Sequence, residues 1–305
     1  MSAPRGITVR PESSPAWVAD AVVAGGGTVC EPAEASALVW TAARDTEGLV
    51  ALLAEHPHFD WVQVPFAGIE NFVSVLDDRR VWTCGKGVYA EPVAEHALAL
   101  ALAGMRHVAG YAREHSWSGP AGRNLLGARV TILGGGGITE SLLRLLAPFR
   151  CRVTVVRRTV GHLGGAAEVL GMEGLEHALA GADLVVLALS LTPETEGIIG
   201  RAELGSMEPH TWIVNVARGR HIVTEDLVWA LENGVIGGAA LDVTDPEPLP
   251  AGHRLWSLPN CIISPHVGNT PEMAVPLLSE RITSNVRRYL GGRELIGLVD
   301  VHNGY

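Results

Sequence analysis

Three stretches of β-forming residues end in a polar group set among apolar and glycine neighbours: Arg218 in VNVARGR, Glu247 in LDVTDPEPLP and His266 in ISPHVGNT. The carboxyl ends of strands are where open α/β sheets bind ligands. An arginine presents a rigid fork of donors to a carboxylate, and a histidine titrates close to neutral pH, so it can hand over a proton. A nearby carboxylate orients such a ring and favours its protonated form. Together the three suit the reduction of a 2-keto acid. Arg218 would hold the substrate carboxylate and carbonyl, His266 would protonate the developing alkoxide, and Glu247 would orient His266, with a nicotinamide beside them to give the hydride. Taken singly, each group also reads as an ordinary one: a surface ion pair, a glutamate in a Pro-rich loop, a histidine bonded in a turn.

The hydride donor has a candidate site of its own. In VTILGGGGITESLLRLL (residues 130–146) a buried strand runs into a glycine-rich turn and then an amphipathic helix, the context that a dinucleotide pyrophosphate requires. Gly134 would make the tight turn and Gly136 would let backbone amides close on the phosphates. The helix start at Gly137 and Ile138 would supply partial positive charge. The third position of the usual GxGxxG is Thr139, which predicts slightly looser helix–strand packing or a small shift of the helix. The next strand, CRVTVV, ends in Arg157, Arg158 and Thr159, with no acidic residue to bond a ribose diol. Two guanidiniums and a hydroxyl suit a 2′-phosphate, so NADP is expected ahead of NAD; the alternative is a pair of solvated arginines at a strand end.

These groups need a scaffold that alternates strands with helices, and the chain supplies one. ITV (7–9), TVC (28–30), ALVW (37–40), WVQV (61–64) and VWTC (81–84) read as the strands of one small sheet. ARVTILG (128–134), CRVTVV (151–156), DLVVLAL (183–189), TWIVNVA (211–217), GGAALDV (237–243) and CIISP (261–265) read as those of a second. Between the two series, a long Ala/Leu-rich helix is expected from Pro92 to about His115, bridging two lobes. A closing helix of about five turns is expected over TPEMAVPLLSERITSNVRRYLGG. The fold class is α/β, with parallel sheets covered on both faces.

Composition narrows the partners. With 47% hydrophobic and 18% charged residues, the 305-residue chain has ample apolar material for two ordinary domains. A net charge of -10 argues against nucleic acid or an anionic membrane as partner. Cys30, Cys84, Cys151 and Cys261 form no CxxC pair and have no histidine at ligand spacing, so they read as reduced, buried thiols and no metal site is expected. The opening MSAPRGITVRP lacks an apolar run, and the Ala/Leu run near residue 97 is interrupted by Glu95, His96, Arg106 and His107. Neither a secretion signal nor a membrane span is expected, and the cytoplasm is the default.

An ordered series of segments resembles the D-isomer-specific 2-hydroxyacid dehydrogenase family nearly end to end. It comprises WVQVPFAGIENF (61–72), GVYAEPVAEHALAL (87–100), LVVLALSLTPETEGII (184–199), VNVARGR (214–220), AALDVTDPEPLP (239–250) and SPHVGNT (264–270). The resemblance implies that Arg218, Glu247 and His266 are the catalytic residues. It also implies that the backbone around Ala67 and Gly68 helps hold the substrate carboxylate, that Asp242 meets the nicotinamide carboxamide, and that Val93, Thr192 and Ala217 line the cofactor. The implied fold is two doubly wound parallel-sheet domains. One is a flavodoxin-like substrate domain made of residues 1–96 and 276–305; the other is an NAD(P)-binding Rossmann domain over 97–275. A homodimer paired through the cofactor domain is expected, without feedback control by an amino-acid-binding domain beyond Tyr305.

Within the family, the arginines after CRVTVV resemble the cofactor switch of glyoxylate and hydroxypyruvate reductases, which makes glyoxylate- or hydroxypyruvate-type acids the expected substrates. Phe66 stands where a smaller residue is frequent, and would either exclude large substrates or stack on an aromatic one. Three other readings share the scaffold. A phosphoglycerate dehydrogenase-like enzyme would use an extra cationic cluster, for which Arg79 and Arg80 are present but are expected to be solvated. A formate dehydrogenase would carry Gln where Glu247 stands. A non-catalytic nicotinamide-sensing scaffold of the C-terminal-binding-protein type would need a peptide groove and extended tails.

Overall fold

Strands read as uninterrupted apolar runs become the buried centres of two parallel sheets, as their lack of alternation requires. The structure is a computed structural model that describes residues 6–302; the outermost residues of the expected substrate domain, and the start of the segment read for a secretion signal, lie outside the described residues. The chain folds as two compact units, residues 6–89 with 270–302, and residues 90–269.

The first unit holds strands β1 (Gly6–Arg10), β2 (Thr28–Val29), β3 (Ala35–Trp40), β4 (Trp61–Gln63) and β5 (Val81–Thr83) in the order β2-β1-β3-β4-β5, every pair parallel. Its helices are α1 (Ala16–Ala24), α2 (Thr46–Glu55) and, from the chain's end, the 20-residue α9 (Pro271–Leu290). One layer buries Ile7, Val39 and Trp61 with Val22 of α1 and Ile282 and Val286 of α9. The other buries Leu38, Val62 and Trp82 with Leu49 and Leu53 of α2. Gly25 sets the distance between α1 and α9, since a Cβ there would lie 2.6 Å from that of Val286. After α9 the chain returns to the sheet, where Leu298 bridges Thr83 in antiparallel fashion and the Val299 N–H donates to Trp82 O at 3.0 Å. Of the two arginines expected in solvent, Arg79 is exposed. Arg80 is not: its side chain is 4% exposed and pairs with Asp77, whose carbonyl oxygen also accepts from Trp82 Nε1 at 3.2 Å.

The second unit holds β6 (Arg129–Leu133), β7 (Arg152–Val156), β8 (Glu168–Leu170), β9 (Leu184–Leu187), β10 (Trp212–Asn215), β11 (Gly238–Leu241) and β12 (Cys261–Ile263). Their order is β12-β11-β10-β9-β6-β7-β8, so the winding reverses between β6 and β9, which is where such sheets open a crevice for a ligand. α3 (Ala90–Met105) and α5 (Gly137–Leu146) cover one face through Ala94, Ala97, Leu142 and Leu146. α6 (Leu175–Leu179), α7 (Arg201–Ser206) and α8 (Thr224–Glu232) cover the other through Leu179, Leu204 and Leu227.

Two local readings need correction. The long helix stops at Met105 and not near His115. His107 takes a left-handed backbone (φ 55) and starts the one-turn α4 (Val108–Tyr111), while the returning chain closes the end of α3 with Arg123 N–H donating to Met105 O at 2.6 Å. The short edge strand β8 escaped the sequence reading because Glu168–Leu170 offers a single β-branched residue. Among the described residues, no helix is long and apolar enough to cross a membrane.

Candidate active site

β10, β11 and β12 are adjacent and parallel, so the turns that leave their carboxyl ends converge and carry Arg218, Glu247 and His266. At the end of β10, buried Asn215 clamps its own turn: its Oδ1 accepts the Ala217 N–H at 3.0 Å and its Nδ2 donates to Arg218 O at 2.9 Å. Next to the half-buried Arg218, only glycine fits at 219, where a Cβ would lie 2.0 Å from the Thr244 carbonyl. That contact draws the β10 turn against the loop after β11, which leads to Glu247. Glu247 follows the cis Asp245–Pro246 bond and precedes a second cis bond to Pro248. His266 Nδ1 lies 2.7 Å from Glu247 Oε1, and the side chains are 52% and 41% exposed. With Nδ1–H donated to the carboxylate, Nε2 is left to meet a ligand.

Beneath this pair lies Asp242, 4% exposed, at the end of β11. Its Oδ1 accepts the Ser264 hydroxyl at 2.7 Å and the Val267 N–H at 2.9 Å, and its Oδ2 accepts the Gly268 N–H at 2.9 Å. His96 of α3 places Nε2 3.2 Å from Oδ1 and 2.9 Å from Ser264 Oγ. Burial works to raise the Asp242 pKa, but the bonds from His96, Ser264, Val267 and Gly268 outweigh it and hold the carboxyl down at about 2. His96 and Ser264 were not singled out from the sequence; their signal is the pairing of AEH on an apolar helix with SPH after a strand. Val93 lies one turn before His96 on α3 and faces the same segment, with its Cγ2 3.7 Å from where a Cβ on Gly268 would be.

In the glycine-rich turn after β6, Gly134 and Gly136 are glycines for different reasons. Gly134 has φ +111 and would, with a Cβ, strike Ala188 O at 2.4 Å, so the turn itself demands glycine. Gly136 is different: a Cβ there would meet nothing within 4 Å, so the absence of a side chain serves space in front of α5, which Gly137 and Ile138 open. Thr139 is fully buried and its hydroxyl donates to Gly134 O at 2.9 Å. In place of the looser packing expected for the missing third glycine, the threonine staples the turn to the helix.

At the end of β7, Arg157 crosses the turn, with its Cδ only 2.4 Å from where a Cβ on Gly135 would be. It donates through Nη2 to Gly161 O at 3.1 Å, and its Nε is buried without a hydrogen-bond partner. Arg158 and Thr159 are exposed. A buried orphan donor, open space at Gly136 and no carboxylate over 157–159 together fit a phosphorylated dinucleotide. Thr192 follows β9 with its N–H on Thr195 Oγ1 at 2.8 Å, and Ala217 is buried beside Arg218. Among the described residues, no cluster of His, Cys, Asp and Glu could hold a metal ion.

In the first unit, the loop after β4 carries Phe66, Ala67 and Gly68. Gly85 N–H donates to Phe66 O at 3.0 Å and Tyr89 Oη donates to Pro65 O at 3.2 Å. Burial pushes the Tyr89 hydroxyl up to about 12 against the opposing charge of Arg281, so it stays a donor at neutral pH. Phe66 is half-exposed, with its ring 6.4 Å from that of Tyr89.

Comparisons with known proteins agree with this architecture. Residues 96–268 match the family model for the D-isomer specific 2-hydroxyacid dehydrogenase NAD binding domain. An uncharacterized protein in the proB 3′ region of Corynebacterium melassecola is 41% identical over 253 residues, 80% of this chain and 83% of that one. A glyoxylate reductase of Pyrococcus furiosus is 33% identical over 274 residues, 82% of this chain and 81% of that one. The crystal structure of a D-isomer specific 2-hydroxyacid dehydrogenase from Xanthobacter autotrophicus Py2, in complex with NADPH and MES, superposes with a TM-score of 0.87 at 26% identity, over 99% of this chain and 100% of that one. The chain belongs to the D-isomer specific 2-hydroxyacid dehydrogenase family.

Proposed function

We propose that this protein is an NADPH-preferring reductase of small 2-keto acids of the glyoxylate or hydroxypyruvate type, with Arg218, Glu247 and His266 as its catalytic residues. The observation that carries this reading is the 2.7 Å contact between His266 and Glu247 at the carboxyl ends of adjacent strands that also present Arg218. NADPH, when bound, supplies a hydride to the carbonyl carbon. Arg218 binds the substrate carboxylate and polarises the carbonyl oxygen. His266 delivers its Nε2 proton to that oxygen as the C–O double bond becomes an alkoxide, and recovers a proton from solvent, to which it is open. Glu247 holds the ring in the orientation and tautomer that this transfer needs. Residues 90–269 act as the cofactor domain and the remainder as the substrate domain, where the backbone at Ala67 and Gly68 contributes to the carboxylate site. Asp242 meets the nicotinamide carboxamide, Val93, Thr192 and Ala217 line the cofactor, and Arg157, Arg158 and Thr159 take its 2′-phosphate side.

The Xanthobacter structure, in complex with NADPH, and the absence of an acidic residue after β7 support NADP over NAD. The Pyrococcus glyoxylate reductase supports a small acid as substrate. A homodimer in the cytoplasm completes the reading. Between α3 and β6 the chain exposes the apolar side chains of Val108, Tyr111, Trp117 and Leu126, and Met105 at the end of α3 helps line a hollow of about 430 Å³ with Trp212 and Pro259. Surfaces of this kind are usually covered by a partner.

The test is oxidation of NADPH and, separately, NADH by the purified protein against glyoxylate, hydroxypyruvate, pyruvate and phenylpyruvate. Faster turnover with NADPH on the smaller acids is expected, and the ranking reads out what Phe66 admits. Cofactor binding without turnover on any keto acid would remove the reductase reading.

A further inference from the structure

The segment Ser264–Gly268 is met by two histidine–carboxylate pairs. His266 with Glu247 is the exposed one; His96 with Asp242 is its buried counterpart, with side chains 23% and 4% exposed. We propose that His96 is a positioning residue for the reaction: through Asp242 and Ser264 it fixes the backbone from which His266 projects. The inference rests on the reductase reading for its kinetic consequence, but not for its structural one.

His266 has φ 56, one of three non-glycine residues in the left-handed region among those described. That conformation is disfavoured for a residue with a side chain, so it persists only where its surroundings determine it. Here the determinant is one residue. The His266 N–H donates to Asp242 O at 2.8 Å, and the next two amides, of Val267 and Gly268, donate to the two oxygens of the Asp242 carboxylate. The hydroxyl of Ser264 donates to the same carboxylate from the other end of the segment. A rotation of the Asp242 side chain would release the segment's grip at three atoms at once.

What holds that carboxylate is His96. Ser264 Oγ spends its single hydrogen on Asp242 Oδ1, so towards His96 it is an acceptor, and Nε2 must carry the hydrogen that it shares between Ser264 Oγ and Asp242 Oδ1. His96 projects from α3, a sixteen-residue helix anchored by Ala94, Ala97, Leu100 and Ala101 in the core. The segment also lies directly on that helix: a Cβ at Gly268 would be 3.0 Å from Asp242 Oδ2 and 3.5 Å from His96 Cδ2. A rigid helix thus sets the position of a loop that carries the proton donor. Reacting groups keep sub-ångström geometry when the residues behind them are themselves locked by packing and hydrogen bonds.

Glutamine places its Nε2 the same number of bonds from Cα as histidine does, so His96→Gln keeps the donor. His96→Ala removes it, and His96→Asn keeps a polar group that is one bond too short. Two measurements on the full chain test the role: steady-state kinetics with NADPH and glyoxylate, and hydrogen–deuterium exchange of the peptide bearing the Val267 and Gly268 amides in the cofactor-free protein. Because proton transfer and not binding is misaligned, His96→Ala and His96→Asn are expected to lower kcat about tenfold or more while KM changes less than about threefold. Exchange at the segment should speed up about tenfold in both, and His96→Gln should stand within about threefold of the wild type on each readout.

Unchanged exchange and unchanged kcat in a folded His96→Ala or His96→Asn protein would overturn the proposal. So would a loss confined to KM, or a folded His96→Gln that behaves like alanine. If the wild type turns over no keto acid while exchange responds as stated, the clamp stands and the reductase reading falls. Should His96→Ala fail to fold, the contrast between His96→Asn and His96→Gln decides alone.

Discussion

His266 Nδ1 and Glu247 Oε1 stand 2.7 Å apart with close to half of each side chain in solvent. An ion pair so exposed contributes about 0–1 kcal/mol to stability, whereas a positioned proton donor contributes about 100- to 10,000-fold to rate. The two scales separate structure from chemistry. His266→Ala and Glu247→Gln should therefore melt close to the wild type, bind NADPH as it does, and lose about 100-fold or more of kcat. A His266→Ala protein that retains turnover would remove the role given to this residue.

Gly134 and Gly136 are glycines for different reasons, and alanine tells them apart. Gly134 sits at φ +111 with Ala188 O in the way of a Cβ, so Gly134→Ala should cost about 2 kcal/mol or more of stability. Gly136→Ala meets nothing in the protein and should fold normally, with a melting temperature near that of the wild type. Its methyl instead occupies the space where a pyrophosphate approaches the helix, so NADPH affinity should fall by about tenfold or more. Thermal melts and a fluorescence titration make the comparison; equal cofactor affinity in Gly136→Ala would mean that the phosphates lie elsewhere.

Arg157 is the residue after β7 that reaches back over the turn, and its buried Nε has no hydrogen-bond partner. A carboxylate in its place would repel a 2′-phosphate and accept from a ribose diol. Arg157→Asp should thus lower the ratio of kcat/KM for NADPH over NADH by about tenfold or more, with each tenfold corresponding to about 1.4 kcal/mol. An unchanged ratio would pass the role to Arg158.

The strand-turn-helix around Gly134 and Gly136 and the strand ends that lead to Arg218, Glu247 and His266 were legible because each is local: an apolar run, a change of period, a polar residue at the end. Residues whose meaning depends on a distant partner were not. Asp242 entered the sequence reading through the family resemblance alone, and its partner His96 stands 146 positions away, so the pairing of AEH with SPH takes on meaning only once the fold brings the two segments together. Thr139 looked like a defect in a glycine motif, because a motif records which residue is usual and not that a hydroxyl can bond the carbonyl five residues earlier. The end of α3 was misread for a related reason. Its terminator is the returning Arg123 amide, while the local sequence through His115 continues to favour helix.

Trp117 is fully exposed on the segment between α4 and β6, a stretch of chain that also exposes Val108 and Tyr111 before it and Leu126 after it. Transfer of such side chains from water favours association by about 1.5–3 kcal/mol each when fully buried. If the proposed homodimer forms through this face, Trp117→Asp should shift the protein towards monomer in sedimentation at micromolar concentration, while circular dichroism stays unchanged. A wild-type monomer, or a dimer indifferent to this substitution, would exclude the face.

Asp242 carries the clearest dependence on pH. Its carboxyl is held at about 2 in the folded chain, against about 3.9 when unfolded. A folded pKa below the unfolded one stabilises the protein at pH values above the unfolded pKa, and that contribution is lost as pH falls towards the folded one. The depression corresponds to about 2–3 kcal/mol at neutral pH and to roughly half of that at pH 3. Asp242→Asn removes the titrating group and also turns an amide donor towards N–H groups that need an acceptor, a cost that does not vary with pH. Urea denaturation at the two pH values isolates the first effect: the gap between wild type and Asp242→Asn should narrow by about 1 kcal/mol on going from pH 7 to pH 3. A gap of constant size would show that the carboxylate is not held by the four bonds that converge on it, and with that the footing of His266 on Asp242 would be lost.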